Sequence, residues 1–443
     1  MSTLQQKITA CPPDALAGIR RGIEKEGLRV LPTGDLALTP HPAALGSALT
    51  HPHITTDYSE SQIELVTGAH RGVQQCLDEL TEIHQFALRT LHEQGDEMLW
   101  VSSMPCRLPT DETIPLARYG SSNVGRAKSV YRMGLGHRYG RRMQTICGIH
   151  YNWSMPGVTS EQYFALIRNF RRNAFVLLYL FGASPALCPC FAQGRPHALQ
   201  RLSDQALYLP HATSLRMGRL GYQSDAQATL AVSYNGLDGY ADSLHEALPQ
   251  PYPAYEAVGI TAETMRLLDV FLLHCLLSDS PPDTPQEITE LKRNQHLTAE
   301  RGREPGLCLV RNGQNVALVD WAAQVLQECA PLAAALDASH HSTDYSAALA
   351  SARATLAHPV QTPSARVLEQ MAREHGNNFT SFSTHQSAQA RDALLDLPWS
   401  DAQHARFTAM AEESVAAQKA IEAADALPFE EWRQHYMAAQ GVG

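Results

Sequence analysis

Apolar and polar positions alternate most sharply near the start of the chain. In Gly22-Ile23-Glu24-Lys25-Glu26-Gly27-Leu28-Arg29-Val30, the bulk of Ile23, Leu28 and Val30 is interleaved with charge. This period of two predicts a short strand, whole or broken at Gly27. Residues 62–67 repeat the pattern, with Ile63 and Leu65 on one face and Glu64 on the other. On a half-buried antiparallel sheet that second face is the solvent or functional one. Asp57 follows an extended Ile54-Thr55-Thr56, residues 143–154 read as a further strand, and residues 230–234 are strand-like.

Elsewhere the period lengthens. Val73, Cys76, Leu77, Leu80, Ile83 and Phe86 recur at helical spacing, predicting a helix over 71–97. Residues 1–20 predict a short amphipathic helix, and residues 160–180 an apolar one closed by Phe181-Gly182-Ala183-Ser184-Pro185. Residues 31–50 and 98–122 are rich in turn formers. From 262 onward the pattern predicts helices, with Ala-rich amphipathic segments near 320–356, 364–376 and 387–436. Only a turn-rich stretch at 279–286 and a loop at 301–314 interrupt them. Strands first and helices afterwards make an α+β fold, with a sheet-containing core over 1–260 and a mainly helical part over 261–443 packed on it.

Composition narrows the function classes. The formal net charge of −10 argues against a nucleic-acid footprint, which needs a basic surface, but leaves room for a polyanion such as ATP. The nine cysteines, at 11, 76, 106, 147, 188, 190, 275, 308 and 329, are odd in number and form no CxxC pair. Neither a disulfide framework nor a zinc site is therefore predicted, and Cys188-Pro189-Cys190 is the closest pair. With no apolar leader and no run of 18 apolar residues, the expected setting is the cytoplasm, with no membrane contact.

Three features carry candidate chemistry. Glu24 and Glu26, two apart on a strand, share a face. Such a pair is either a solvated strand edge or half of a divalent-metal site, since side-by-side carboxylates repel unless a cation separates them. Residues 125–142 hold six basic residues and His137 without an acid, either a solvated helix face or a contact for anions and phosphate. His150 is a core histidine or a metal or phosphate ligand. A Cys-nucleophile enzyme using Cys106 or Cys147 with His150 is disfavoured, because Cys147 and His150 stand three apart on a predicted strand and face opposite ways.

Several strings together resemble the glutamate–cysteine ligases of gamma-proteobacterial type. They are GIEKEGLRV, HPAALGSALTHPHITTDYSESQIELVT, SMPC, YGSSNVGRAKSVYRMGL, RYGRRMQTICGIHYN, YLFGASPALC, ATSLRMGRLGY, GREPGL and EAADALPFEEW. The resemblance implies a glutamine-synthetase-like curved antiparallel sheet, a funnel lined by acids that hold Mg²⁺ or Mn²⁺. It also implies an ATP-dependent reaction, in which the γ-carboxylate of glutamate is phosphorylated and the amine of cysteine attacks the acyl phosphate. By the same resemblance Glu24, Glu26, Asp57, Glu64 and His150 are metal-side residues, His150 and Arg216 are catalytic, and Arg216 also meets the amino-acid substrate. Tyr131, Tyr222 and Arg132 border the substrate pocket, and Arg126 and Lys128 face the nucleotide.

One departure from the family pattern is large. Gly259 runs through Ile260-Thr261-Ala262 straight into a helix, where the family has a longer segment with a metal-binding Glu and a catalytic Arg two residues apart. About 60 residues are absent there, the size of a hairpin with a loop and a strand. The exposed sheet edge this leaves would need cover from another subunit or a partner. The leading reading is a carboxylate–amine ligase of glutamate. The alternatives are a diverged relative using another amino acid or reaction in a specialised biosynthetic pathway, and a non-catalytic relative.

Overall fold

The computed structural model describes residues 3–221 and 257–439. Its organising element is β1 (Arg20–Val30), a strand that runs unbroken through Gly27. On one side β1 pairs with β3 (Gln62–Val66), which in turn pairs with β2 (Ile54–Thr56). On the other it pairs with β5 (Ile149–Ser154) and the short β4 (Met98–Leu99). Every one of these pairings is antiparallel, and among the described residues they make a five-stranded sheet.

The alternation read from the sequence explains the two faces. Ile23, Ile63 and Leu65 lie on one and are buried beneath α3 (Val73–Gly95), whose Val73, Cys76, Leu80 and Ile83 form the matching stripe. Glu24, Glu26, Glu64 and His150 lie on the other. The helices after residue 262 then enclose the apolar side, and the fold is α+β as expected.

Two charged groups sit on the apolar side. The Arg21 guanidinium lies 3.1 Å from Asp269 on the helix Ala262–Leu277, both side chains fully buried, and the Tyr151 hydroxyl donates to the same carboxylate at 2.9 Å. This cluster ties β1 and β5 to the helical part. Asp269→Ala is expected to cost about 3–5 kcal/mol in denaturant unfolding, because it strands a buried guanidinium. Lys7→Ala, which breaks the solvated Lys7–Asp279 pair, should change stability by less than about 1 kcal/mol. Equal effects from the two would show that the buried pair bears no special strain on removal. The second group, Lys25, places Nζ 2.7 Å from His84 Nε2 of α3, and burial holds its amine down to about 7.

Three expectations change. Residues 143–154 are not one strand: Met143–Thr145 is a 3₁₀ turn and β5 begins only at Ile149. The chain turns there because the Cys147 amide donates to Ser103 O and the Gly148 amide to Glu26. Cys147 therefore precedes the strand, and the opposite-faces argument against a Cys147–His150 pair does not apply. Burial keeps the Cys147 thiol well above its ordinary range, which disfavours a nucleophile all the same.

The loop expected at 301–314 instead contains a hairpin, β9 (Cys308–Arg311) and β10 (Gln314–Ala317). Asn312 and Gly313 turn it with φ of 52° and 76°. Asn-Gly between short strands is the residue pair such a turn demands, so the signal was present in the sequence. A three-stranded sheet of β6 (Ala186–Leu187), β7 (Gln200–Ser203) and β8 (Ala206–Tyr208) has strands too short to show a period. The strand-like residues 230–234 lie outside the described residues. No described helix is long and apolar enough to cross a membrane.

Candidate active site

Strand register assembles the site. Glu26 of β1 pairs directly with Glu64 of β3, and Glu24 pairs directly with His150 of β5. Side chains directly opposite on antiparallel strands approach within roughly 5 Å, so residues about 40 and 126 positions apart in sequence converge on one face. His150 Nδ1 lies 2.9 Å from Glu24 Oε2, and Nε2 lies 3.6 Å from Glu26 Oε1. Ligand atoms of Glu24, Glu64 and His150 all fall within 4.8 Å of one another. Asp57 joins from the turn after β2, where its amide donates to Gln62 O.

The electrostatics follow from crowding acids in a half-buried place. Burial first, then the charges of Asp57 and Glu64, push the Glu26 carboxyl up to about 8. Burial with Asp57 and Glu24 pushes Glu64 up to about 7, and Asp57 is raised chiefly by burial. Glu24 is instead held low by its hydrogen bond to His150. Burial works against the imidazolium of His150, yet the Glu24 hydrogen bond and the charges of Glu26, Glu24 and Glu64 carry it to about 9. A face of carboxylates this short of positive charge fits a hard divalent cation, which prefers oxygen ligands. To serve as a ligand, His150 would first have to give up its proton.

The basic run divides. It forms α4 (Asn123–Tyr139), capped by Ser122, whose side chain accepts from the Gly125 amide. The Arg132 Nε donates to Asp57 O, and Arg132 and Lys128 both lie over the Tyr119 ring, at 4.7 and 5.1 Å. Both charges act on Glu64. Arg126 instead covers the Phe429 ring of the helix Phe429–Ala439 at 4.5 Å. Tyr131 stands 49% exposed on the same α4, and Tyr222 lies just outside the described residues.

Arg216 is fully buried. It donates to Ser103 Oγ at 2.7 Å and to Cys147 O. The Gly148 amide, one residue on, donates to Glu26 Oε2 at 2.7 Å. In this arrangement Arg216 fastens the turn that aims Glu26.

Sequence reasoning missed Asn152, Ser103 and Gly148. Asn152 donates to Glu24 Oε1 at 2.9 Å, and its place two after His150 on a strand was a legible signal. Ser103 and Gly148 had none, since their roles arise from backbone turns meeting across the fold.

The fold and this face together define an α+β protein whose antiparallel sheet presents clustered acids and a histidine on one side. The sequence model of the glutamate–cysteine ligase family matches residues 4–262. The glutamate–cysteine ligase of Alcanivorax borkumensis is 39% identical over 526 aligned positions, covering 98% of this chain and 99% of that protein. That of Pseudomonas aeruginosa is 42% identical over 482 positions, covering 90% of each. Among solved structures, glutamate–cysteine ligase from Francisella tularensis in complex with AMP superposes with a TM-score of 0.86 at 30% identity, covering 96% of this chain and 99% of the other. A bifunctional glutathione synthetase from Pasteurella multocida shares the fold, with a TM-score of 0.72 at 20% identity over 92% of this chain and 57% of the other.

The chain belongs to the glutamate–cysteine ligase family. It is also shorter within the alignment: 526 positions against 443 residues leave at least 83 positions facing no residue of this chain.

Proposed function

We propose that this chain is an ATP-dependent ligase that joins the γ-carboxylate of L-glutamate to the amine of L-cysteine through an acyl phosphate. The observation that carries the reading is the register of β3, β1 and β5, which gathers Glu24, Glu26, Glu64 and His150 on one sheet face beside Asp57. Glu24, Glu64, Asp57 and His150 would hold Mg²⁺ or Mn²⁺, with Glu26 behind them. Such an ion, when bound, neutralises phosphate charge and orients the transferring group. Arg132 and Lys128, at the border of the acids, supply the fixed positive charge that a polyphosphate needs. Asn152 keeps Glu24 turned toward the face, and Arg216 keeps the Cys147–Gly148 turn against Glu26. Glutamate, cysteine and ATP are the small-molecule partners, and the cytoplasm is the setting. A second subunit or a partner is the proposed cover for the outer edge of β5.

The second reading, an altered amine acceptor, is favoured by one observation, the 83 or more aligned positions this chain lacks. Phosphate release from ATP, with Mg²⁺, glutamate and a panel of amines, separates the two. Cysteine-dependent release with γ-glutamylcysteine as the product supports the first. Release driven by another amine and indifferent to cysteine replaces it with the second. A folded protein that releases no phosphate with any amine of the panel sinks both.

A further inference from the structure

Away from the acidic face, three cysteines that sequence spacing left unconnected come together. Cys106 arrives on the loop after β4, and Cys188 and Cys190 flank Pro189 at the start of α6 (Pro189–Ala192). Their sulfur atoms all lie within 4.8 Å of one another. Cys188 and Cys190 Sγ are 2.8 Å apart, and Cys106 Sγ lies 2.8 Å from Thr380 Oγ1. Neither carrier is loose. The Cys106 loop is held by the Trp100 indole N–H, which donates to Met104 O at 3.0 Å. Pro189, with its fixed φ, and the bond from Phe191 N to Cys188 O set the other two.

We infer that Cys106, Cys188 and Cys190 form a three-thiolate site for a soft, thiophilic cation of the monovalent-copper class. Three converging sulfurs are what distinguishes this from a redox pair, because a disulfide consumes two and leaves the third without a purpose. Thiolates select soft cations over the hard ones that suit the carboxylate face. Cys106 and Cys188 are buried, which excludes competing water, whereas Cys190 is only partly buried. Cys190 also lines an open cleft of about 770 Å³ with Arg195, His197 and Leu207, giving a cation a way in. Binding breaks the three S–H bonds, sends three protons to solvent and forms three metal–sulfur bonds.

The test is anaerobic titration of the fully reduced, full-length protein with Cu⁺ in competition with a chromophoric chelator, following thiolate-to-metal absorbance. One high-affinity equivalent is expected for the native chain and for Cys308→Ser, which alters an exposed cysteine outside the cluster. Cys190→Ser and Cys106→Ser should lose it. Because Cys106 is buried and its variant could misfold, the partly exposed Cys190 decides. Uptake unchanged in Cys190→Ser overturns the inference. So does a reduced native protein that takes up no Cu⁺, including one whose cluster thiols merely close into a disulfide in air.

Discussion

Replacing Glu26 by Gln is expected to stabilise the protein while cutting ligation by about 10²–10³-fold. The two effects share one cause. Glu26 is 4% exposed and faces Glu64 directly across the strands. Burial and its acidic neighbours hold its carboxyl near 8, against 4.5 for an ordinary glutamate. A carboxyl raised in the folded state binds protons that the unfolded chain has released. Its contribution to stability is therefore complete below pH 4.5 and is lost as the pH climbs through 8.

At pH 8 the ionised group costs the metal-free protein a few kcal/mol. Gln keeps the shape and can still accept from the Gly148 amide, but carries no charge to repel its neighbours. Calorimetry from pH 5 to 8 should show a melting temperature that falls for the native chain and stays flatter for the variant. A lower melting temperature for Glu26→Gln at pH 8 would mean that the carboxylate is a structural element of the turn, and the activity argument would lose its basis.

Lys25→Met is expected to act on the other face of the same strand, with no direct hold on the chemistry. Lys25 is 2% exposed and lies opposite Leu65 and Ile149 across the strands, and burial holds its amine near 7 rather than 10.5. A base lowered in this way gives up its proton on folding. The penalty is full below pH 7 and fades between 7 and 10.5. Removing the amine should stabilise the protein at pH 7, offset by the buried His84 Nε2 left without a partner. The expected net gain is about 1–3 kcal/mol in denaturant unfolding at pH 7, closing toward zero by pH 10.5. Adding His84→Leu should enlarge the gain. A Lys25→Met protein less stable than the native one at pH 7 would show that the amine is charged and paired in the core.

How much could be read in advance differs by element. Strand β1, strand β3 and helix α3 were legible because alternation and helical spacing are imposed by backbone geometry within a few residues. That Glu24 and Glu26 share a face needed nothing more. The hairpin at 308–317 was legible too, through Asn312-Gly313, although the surrounding residues read as loop. The short strands β6, β7 and β8 were not, since two to four residues carry no period.

The tertiary structure decided what those elements meet. Nothing local says that Glu64 lies opposite Glu26, or that His150 lies opposite Glu24; a slip of one residue would turn either to the apolar side. Nor does local pattern say that Arg126 of the basic run serves the C-terminal helix while Arg132 borders the acids. The three cysteines show the same division: their spacing argued against a metal site, and the fold placed their sulfurs together. The sequence by itself determined which side chains share a face. Which faces confront one another was decided by long-range packing, because pairing and register depend on burying a common core and no stretch of a few residues contains that information.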